Sequence, residues 1–247
     1  MIRFHRACMP ACLALLALAL PSGAPAAPVA PHFDYRHQDQ WQEIHGDMQS
    51  PIAIDSSLAQ ADRDDDDDDR IVLHHVGGDA TAVDTGHAVQ VNMAPGDSAN
   101  IRGRRFGLQQ FHFHAPSEHS IDGRSYPLEG HFVYKARNGR LAVIAVLFEE
   151  GAPNAAAALV LLHFQPGRSD VALRLDPAAL LPSTADYYHY LGSLTTPPLS
   201  QNVEWYVLTS KGSMSAAQIA GFKARYDGNN RARQALNGRP LLHFADN

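Results

Sequence analysis

Cysteine is nearly absent from this sequence of 247 residues: its two examples, Cys8 and Cys12, both stand within the first twelve positions. Both fall in a segment that we expect to be removed during export, so the mature chain would carry no disulfide. Structural zinc sites are most often closed by cysteine thiolates, and the mature chain has none to offer.

The sequence also lacks an apolar run long enough to span a membrane. Its most apolar segment, residues 11–20, follows Arg3 and Arg6 and precedes the small-residue sequence PSGAPAA, which is the pattern of a secretory signal peptide. An A-x-A site at 24–26 predicts a signal peptide over residues 1–26 and a mature chain that begins at Ala27. We therefore expect an exported protein without a membrane span.

Basic residues are in the minority, with 20 Lys and Arg against 26 Asp and Glu. Loss of Arg3 and Arg6 would leave 18 against 26, a net charge of −8, and this sign disfavours a nucleic-acid partner. Part of the acidity lies in an insertion at 61–70, which contains six consecutive aspartates at 64–69. We expect a self-repelling, solvated loop there. Weak binding of divalent cations is the alternative.

Strand patterns dominate from residue 71 onward, in short runs rich in β-branched and aromatic residues that are separated by glycine-containing turns. These runs are IVLHHV, HAVQVNM, FGLQQFHFHA, LEGHFVYKA, LAVIAVLFEE and VEWYVLTS. Helical patterns occur at 154–164 and 215–226, and the second begins with a capping box of Ser215 and Gln218. The pattern predicts one mainly β (α+β) domain over residues 27–247, with peripheral helices.

Histidines in the run at 108–114 share one face of the predicted strand. Period-two alternation places Gln110, His112 and His114 on that face, and it places Glu129 and His131 together on one face of the next strand. A hairpin closing at Asp122-Gly123, midway between the runs, would set His114 opposite His131.

Three imidazoles would then converge from two neighbouring strands. Three neutral nitrogens with an open fourth position are the ligand set of a catalytic zinc, with His112, His114 and His131 as ligands. Gln110 and Glu129, each two residues before a ligand, are predicted to accept the other N–H of an imidazole. The alternative is that an H-x-H pair on a strand is two partly exposed histidines without a metal.

Seven segments that occur in order along the chain carry a family resemblance. They are QSPIAI (49–54), GHAVQV (86–91), QFHFHAPSEH (110–119), EGHFVYKA (129–136), LAVIAVLF (141–148), YLGSLTTPPL (190–199) and NNRARQALNGR (229–239). Together they resemble the alpha-class carbonic anhydrases, over nearly all of the mature chain. The pairing of FHFHAPSEH with GSLTTPPL is highly specific.

The resemblance implies a large twisted, mostly antiparallel central sheet with one zinc ion at the base of a conical cleft. It maps the zinc ligands onto His112, His114 and His131. The implied activity is reversible hydration of carbon dioxide to bicarbonate and a proton, by attack of zinc-bound hydroxide. Zinc lowers the pKa of its bound water to about 7, a value known from carbonic anhydrase itself. Esterase activity on activated esters is an implied side reaction.

Further roles follow from the resemblance, residue by residue. Thr195 and Glu118 match the pair that orients the attacking oxygen, and Thr196 matches a position that contacts bicarbonate and sulfonamide inhibitors. His87 matches the proton-shuttle histidine, and Tyr35 is compared with a tyrosine that organises proton-carrying waters. The positions matching the apolar wall beside the zinc are Val133, Val143, Leu194, Val203 and Trp205.

Each of these residues also has a simpler interpretation when it is taken alone. Thr195 would be a turn residue, Glu118 a surface acid, His87 a solvated turn histidine, and the apolar set ordinary core. The remaining histidines are interpreted as structural or surface residues, and they are His74, His75, His119, His163, His189 and His243.

The chain departs from the family pattern at its N-terminal opening, FDYRHQDQW, which is shortened, and at Leu199, where bacterial relatives often have a disulfide cysteine. Gln201 stands where an acid is common. The resemblance nevertheless implies a periplasmic enzyme and leaves a homodimer open. Two rival functions remain: a binding module that has lost catalysis, and a periplasmic zinc buffer that uses the aspartate run.

Overall fold

A computed structural model of the chain describes residues 33–41, 46–62, 70–182 and 186–245. The expected signal peptide at 1–26, both cysteines and the aspartate run at 64–69 lie outside the described residues. The described residues all fall in one compact unit.

Strands make up most of the regular structure of the described residues. In chain order they are β1 Ala53–Ile54, β2 Gln60–Ala61, β3 Ile71–His74, β4 Gly78–Asp84, β5 Val89–Met93, β6 Ser98–Ile101, β7 Arg104–His114, β8 Ser120–Ile121, β9 Leu128–Ala136, β10 Leu141–Glu150, β11 Val171–Leu175, β12 Tyr187–Ser193, β13 Gln201–Leu208, β14 Gly212–Met214 and β15 Leu242–Phe244.

Two α-helices lie close to their predicted positions, α1 at Ala155–His163 and α2 at Ala216–Lys223. The Asn154 side chain caps the start of α1, and the predicted capping box of Ser215 and Gln218 is confirmed at the start of α2. Short 3₁₀ helices occupy Tyr35–Gln40, Ser56–Leu58 and Pro177–Leu180.

One large sheet of 13 strands organises the described residues, in the order β11-β4-β5-β7-β9-β10-β13-β12-β15-β2, with β3, β6 and β14 paired off this path. The ladders are antiparallel except for β10 with β13, β10 with β14, and β15 with β2. A separate parallel pair joins β1 to β8. The predicted fold class, a mostly antiparallel central sheet with peripheral helices, is therefore confirmed.

The central strand β10 separates two apolar clusters. Ile144 and Phe148 face the cluster that includes side chains of α1 and α2, whereas Val143 and Leu147 face a second cluster on the opposite side of the sheet. Burial on both faces explains why residues 141–148 form a continuous apolar run rather than an alternating one. The second cluster adjoins the histidines.

The predicted pairing of the two histidine strands is wrong by two residues. His112, rather than His114, lies opposite His131, and His114 lies opposite Glu129. A slip of two residues keeps every side chain on its predicted face, so the grouping of the histidines survives the error.

The reason for the slip lies in the connection between β7 and β9. The predicted pairing requires a ladder that continues to the turn, but β7 ends at His114, and the Ala115 N–H donates to Asn229 Oδ1 instead of to β9. The predicted Asp122-Gly123 turn is present, but it closes a local bridge within the connection, between Ile121 and Arg124.

The strands that were not predicted include β4, β6, β11 and β12. The first three, with the sequences GDATAVD, SANI and VALRL, are short or contain Gly, Asp and Ala, which are depleted in strands. They are held instead by neighbours in the sheet. Within the described residues, no helix is both long and apolar enough to cross a membrane.

Candidate metal centre

Three imidazoles meet on the sheet face opposite the helices. His112 and His114 extend from β7 and His131 from β9, and one ligand atom of each lies within 4.8 Å of the others. The ring centroids are 5.0 Å apart for His112 and His114, 5.2 Å for His112 and His131, and 4.6 Å for His114 and His131. His114 and His131 are buried while His112 is half-buried, so the cluster opens on the His112 side.

The outer nitrogen of each imidazole has a hydrogen-bond acceptor. His112 Nδ1 lies 2.9 Å from Gln110 Oε1, and His131 Nε2 lies 2.8 Å from Glu129 Oε1, at the two positions predicted for acceptors. His114 Nδ1 lies 2.6 Å from the backbone oxygen of Asn229. These contacts favour the tautomers that leave His112 Nε2, His114 Nε2 and His131 Nδ1 free to face one another.

The inward atoms suit a metal ion. Burial lowers the pKa of His114 and His131, and burial together with the neighbouring imidazoles lowers that of His112 well below its usual value, so all three rings are neutral. His114 Nε2 is buried without a hydrogen-bond partner among the described residues. A metal ion would satisfy this nitrogen, and three neutral imidazoles are a donor set that zinc prefers.

Glu129 contacts two histidines. Its Oε1 lies 2.6 Å from His119 Nδ1 as well as 2.8 Å from His131 Nε2, and its Oε2 accepts from the backbone N–H of His119 at 2.8 Å. Burial acts to raise the pKa of Glu129, but attraction to His119 and His131 outweighs it and holds the pKa well below its usual value. The buried carboxylate is therefore ionised.

His119 is more closely tied to the site than its interpretation as a structural or surface residue implied. It is fully buried, and its Nε2 lies 2.7 Å from the Tyr190 hydroxyl, which donates to Ser50 Oγ at 2.9 Å. The sequence carried one usable signal: His119 follows Glu118 in the same motif.

Glu118 is a buried acid rather than a surface one. Its Oε1 accepts from the backbone N–H of Arg231 at 2.7 Å and lies 3.5 Å from His114 Nδ1. Burial raises the pKa of Glu118 to about 7, while His131 and the Thr195 hydroxyl act to lower it. Glu118 Oε2 has no hydrogen bond of standard geometry to any described residue, and Thr195 is itself buried.

His87 lies on the turn between β4 and β5, at the rim of the site. Its ring packs against Phe33, with centroids 4.5 Å apart, and it lines a cavity of about 260 Å³ together with Phe33 and Tyr35. The Tyr35 hydroxyl is buried without a hydrogen-bond partner among the described residues, and burial and the Glu118 charge raise its pKa.

Asn229 is the functional residue that sequence reasoning missed. Its backbone oxygen accepts from His114, and its side-chain amide donates to the backbone oxygens of His87 and Phe113 at 2.9 and 3.1 Å. It lies in one of the segments that carry the family resemblance. Any residue type can supply a backbone oxygen as an acceptor, however, so the amino-acid type did not indicate this contact.

The apolar residues assigned beside the metal belong to one cluster, in which Val143, Val203 and Trp205 are buried and Val133 and Leu194 are half-buried. The Trp205 ring lies edge-on to His131, with centroids 4.9 Å apart. Thr196 is half-buried on the loop after β12.

Two departures from the family pattern acquire a structural account. Leu199 is buried and has a positive φ of 58°, so an apolar side chain closes the loop after Thr196. Gln201 Oε1 accepts from the Met48 N–H at 2.9 Å, a bond that a neutral amide provides as well as an acid would.

Comparison with known proteins agrees with this geometry. The family model for eukaryotic-type carbonic anhydrase matches residues 36–245. A carbonic anhydrase of Pectobacterium carotovorum is 45% identical over 204 residues, 80% of each chain, and one of Klebsiella pneumoniae is 36% identical over 247 residues, 93% of this chain and 96% of the other.

A solved structure of the alpha-carbonic anhydrase from Thermovibrio ammonificans with the inhibitor sulfanilamide superimposes with a TM-score of 0.74 at 39% identity. It covers 80% of this chain and 87% of the other. The chain therefore belongs to the eukaryotic-type, or alpha, carbonic anhydrases, zinc enzymes that hydrate carbon dioxide to bicarbonate.

Proposed function

We propose that His112, His114 and His131 hold the single zinc ion of an exported carbonic anhydrase, through Nε2, Nε2 and Nδ1 respectively. The observation that carries this proposal is the buried His114 Nε2, which has no partner among the described residues and faces the free nitrogens of the other two rings. When bound, zinc supplies a water molecule of lowered pKa as the nucleophile.

Glu118 and Thr195 orient that nucleophile. In its ionised form the Glu118 carboxylate can only accept hydrogen bonds, and its Oε1 is already occupied by the backbone N–H of Arg231. Glu118 Oε2 would then accept a hydrogen bond from the Thr195 hydroxyl, which would leave the Thr195 oxygen to accept one from the reacting water. The pair would thereby orient the water toward the substrate.

Carbon dioxide is apolar and binds against the apolar residues beside the zinc. Val143, Val203 and Trp205 form the floor of this surface, and the half-buried Val133 and Leu194 extend it toward solvent. Thr196 contacts bicarbonate and sulfonamides. The sulfanilamide complex of the Thermovibrio relative supports sulfonamide inhibition of this chain.

Metal content tests the zinc assignment. The purified protein should hold one tightly bound zinc per chain, and chelation should abolish carbon dioxide hydration in stopped flow until one equivalent of zinc is restored. Several weakly held zinc ions would favour the zinc buffer. One zinc without hydration activity would favour a binding module that has lost catalysis.

His87 exports the proton that each hydration releases. Histidine suits this role because the reference pKa of an imidazole, about 6.5, is close to the value expected for zinc-bound water, so that transfer is nearly level in both directions. In His87→Ala we expect kcat to fall in weak buffer while kcat/KM is retained, because proton export follows the attack on carbon dioxide.

Imidazole in the buffer should restore kcat in His87→Ala by carrying the proton itself. The assignment is wrong if kcat/KM collapses in this variant, or if concentrated imidazole restores nothing. In that case His87 is a structural turn residue.

Export to the periplasm is supported by the leader sequence at 1–26 alone. N-terminal sequencing of protein recovered from a periplasmic extract should begin at Ala27. Recovery of the uncleaved chain from the cytoplasm would contradict this part of the proposal.

A further inference from the structure

The turn that carries His87 is tightly bonded within itself. Thr85 Oγ1 accepts from the Ala88 N–H at 2.9 Å, and its hydroxyl donates to the Ala88 oxygen at 3.1 Å. Gly86 has a φ of +82°, a value that side chains rarely adopt, and no atom would obstruct a Cβ there. Backbone conformation, rather than close packing, therefore requires glycine at this point of the turn.

Asp84 joins this turn to two other segments of the chain. Its Oδ1 accepts from the Gly86 N–H at 2.9 Å and from the Tyr226 hydroxyl, and its Oδ2 accepts from the Gly167 N–H at 2.7 Å. The donors come from the His87 turn, the loop before β11 and the segment after α2. One carboxylate thus fixes the turn relative to both neighbouring segments.

The carboxylate also acts on His87 through its charge. Burial acts to raise the pKa of Asp84, but the hydrogen bonds from Tyr226, Gly167 and Gly86, together with attraction to His87, outweigh it and leave the pKa below its usual value. Asp84 is therefore ionised, and by reciprocity its charge favours the protonated form of His87.

Other charged or titratable groups surround His87 in the described residues. Asp34, Tyr35 and Arg36 of the N-terminal segment line the same cavity of about 260 Å³ as His87, as do Tyr226 and Asp227, and His87 interacts electrostatically with His112. Asp34 is bonded to Arg36 and His37. Asp84 is the carboxylate on the turn of His87 itself.

We propose that Asp84 is a positioning residue for proton export: it holds the turn of His87 in place and provides the negative charge that favours the protonated imidazole. This inference rests on the proposed role of His87 in the reaction. In the transfer step, a ring nitrogen of His87 accepts one proton from water in the cleft and then releases it to buffer. No covalent bond between heavy atoms changes.

The test variant is Asp84→Asn, which removes the charge and at least one of the three acceptor contacts while it preserves side-chain size. The matched control is Asp170→Asn, because Asp170 lies on the loop that contains Gly167 but bonds to Arg168 instead of to the turn. Thermal unfolding of both variants checks that the fold is retained.

We expect Asp84→Asn to lose kcat several-fold in weak buffer, to keep kcat/KM, and to regain kcat with added imidazole. In the metal-free protein, an NMR titration of the His87 ring should give a lower pKa than in the wild type, a readout that a purely structural role would not move. Asp170→Asn should match the wild type in both measurements.

Combination with His87→Ala separates the two hypotheses. If His87→Ala loses kcat in weak buffer and the double variant with Asp84→Asn shows no further loss of kcat, both roles are supported. If His87→Ala shows the loss but Asp84→Asn retains wild-type kcat and an unchanged His87 pKa, the role of Asp84 is overturned while that of His87 stands. If His87→Ala keeps full kcat in weak buffer, the proposed function of His87 itself is wrong.

Discussion

Replacement of His112, His114 or His131 by alanine, one at a time, is expected to remove tightly bound zinc and to reduce hydration to the uncatalysed rate. The three rings act as one unit, since each supplies one of three converging nitrogens and two imidazoles cannot hold the ion as three can. Zinc per chain and stopped-flow hydration measure the two effects independently.

A matched control exists on the opposite side of the sheet. His163 ends α1, and its Nδ1 contacts the Leu159 backbone oxygen in the same helix, so His163→Ala should retain one zinc and full activity. Among the three ligand variants, one that kept stoichiometric zinc together with near-normal hydration would overturn the assignment of the metal centre.

Glu129→Ala is expected to weaken zinc binding by about 10–100-fold, the usual effect of losing the group that orients a metal-bound histidine. It should also destabilise the metal-free protein by about 1–3 kcal/mol, the range for leaving a buried hydrogen-bond donor without its acceptor. Both losses follow from the same contacts, because the buried Glu129 carboxylate is the hydrogen-bond acceptor for the rings of both His131 and His119.

Competition with a zinc chelator and urea unfolding of the metal-free protein measure these two quantities separately. Gln110→Ala is the natural comparison, since Gln110 contacts the half-buried His112, and its effect on stability should be smaller. Wild-type zinc affinity and wild-type stability in Glu129→Ala would show that the carboxylate is dispensable, and that His131 is oriented by other contacts.

Much of the centre followed from the period of a β-strand. Alternation alone grouped His112 with His114 and His131 with Glu129, and a shift in pairing by two residues could not disturb those faces. The acceptors Gln110 and Glu129 were predictable for the same reason, because each lies two residues before its histidine on the same strand.

Contacts made by distant backbone atoms could not be predicted in this way. The acceptor for His114 is the backbone oxygen of Asn229, 115 positions away in the sequence. The strand register failed because the Ala115 N–H bonds to the Asn229 side chain and leaves the ladder. Any residue type provides a backbone oxygen, so no pattern of side chains could reveal the first contact.

Asn229 has a mechanical consequence for catalysis. Its backbone oxygen holds the His114 ring, and its side-chain amide holds the backbone of His87, so a single residue connects a metal ligand to the proposed proton acceptor. Both bonds originate at one residue, so the position of the His87 turn relative to the His114 ring is set directly through Asn229.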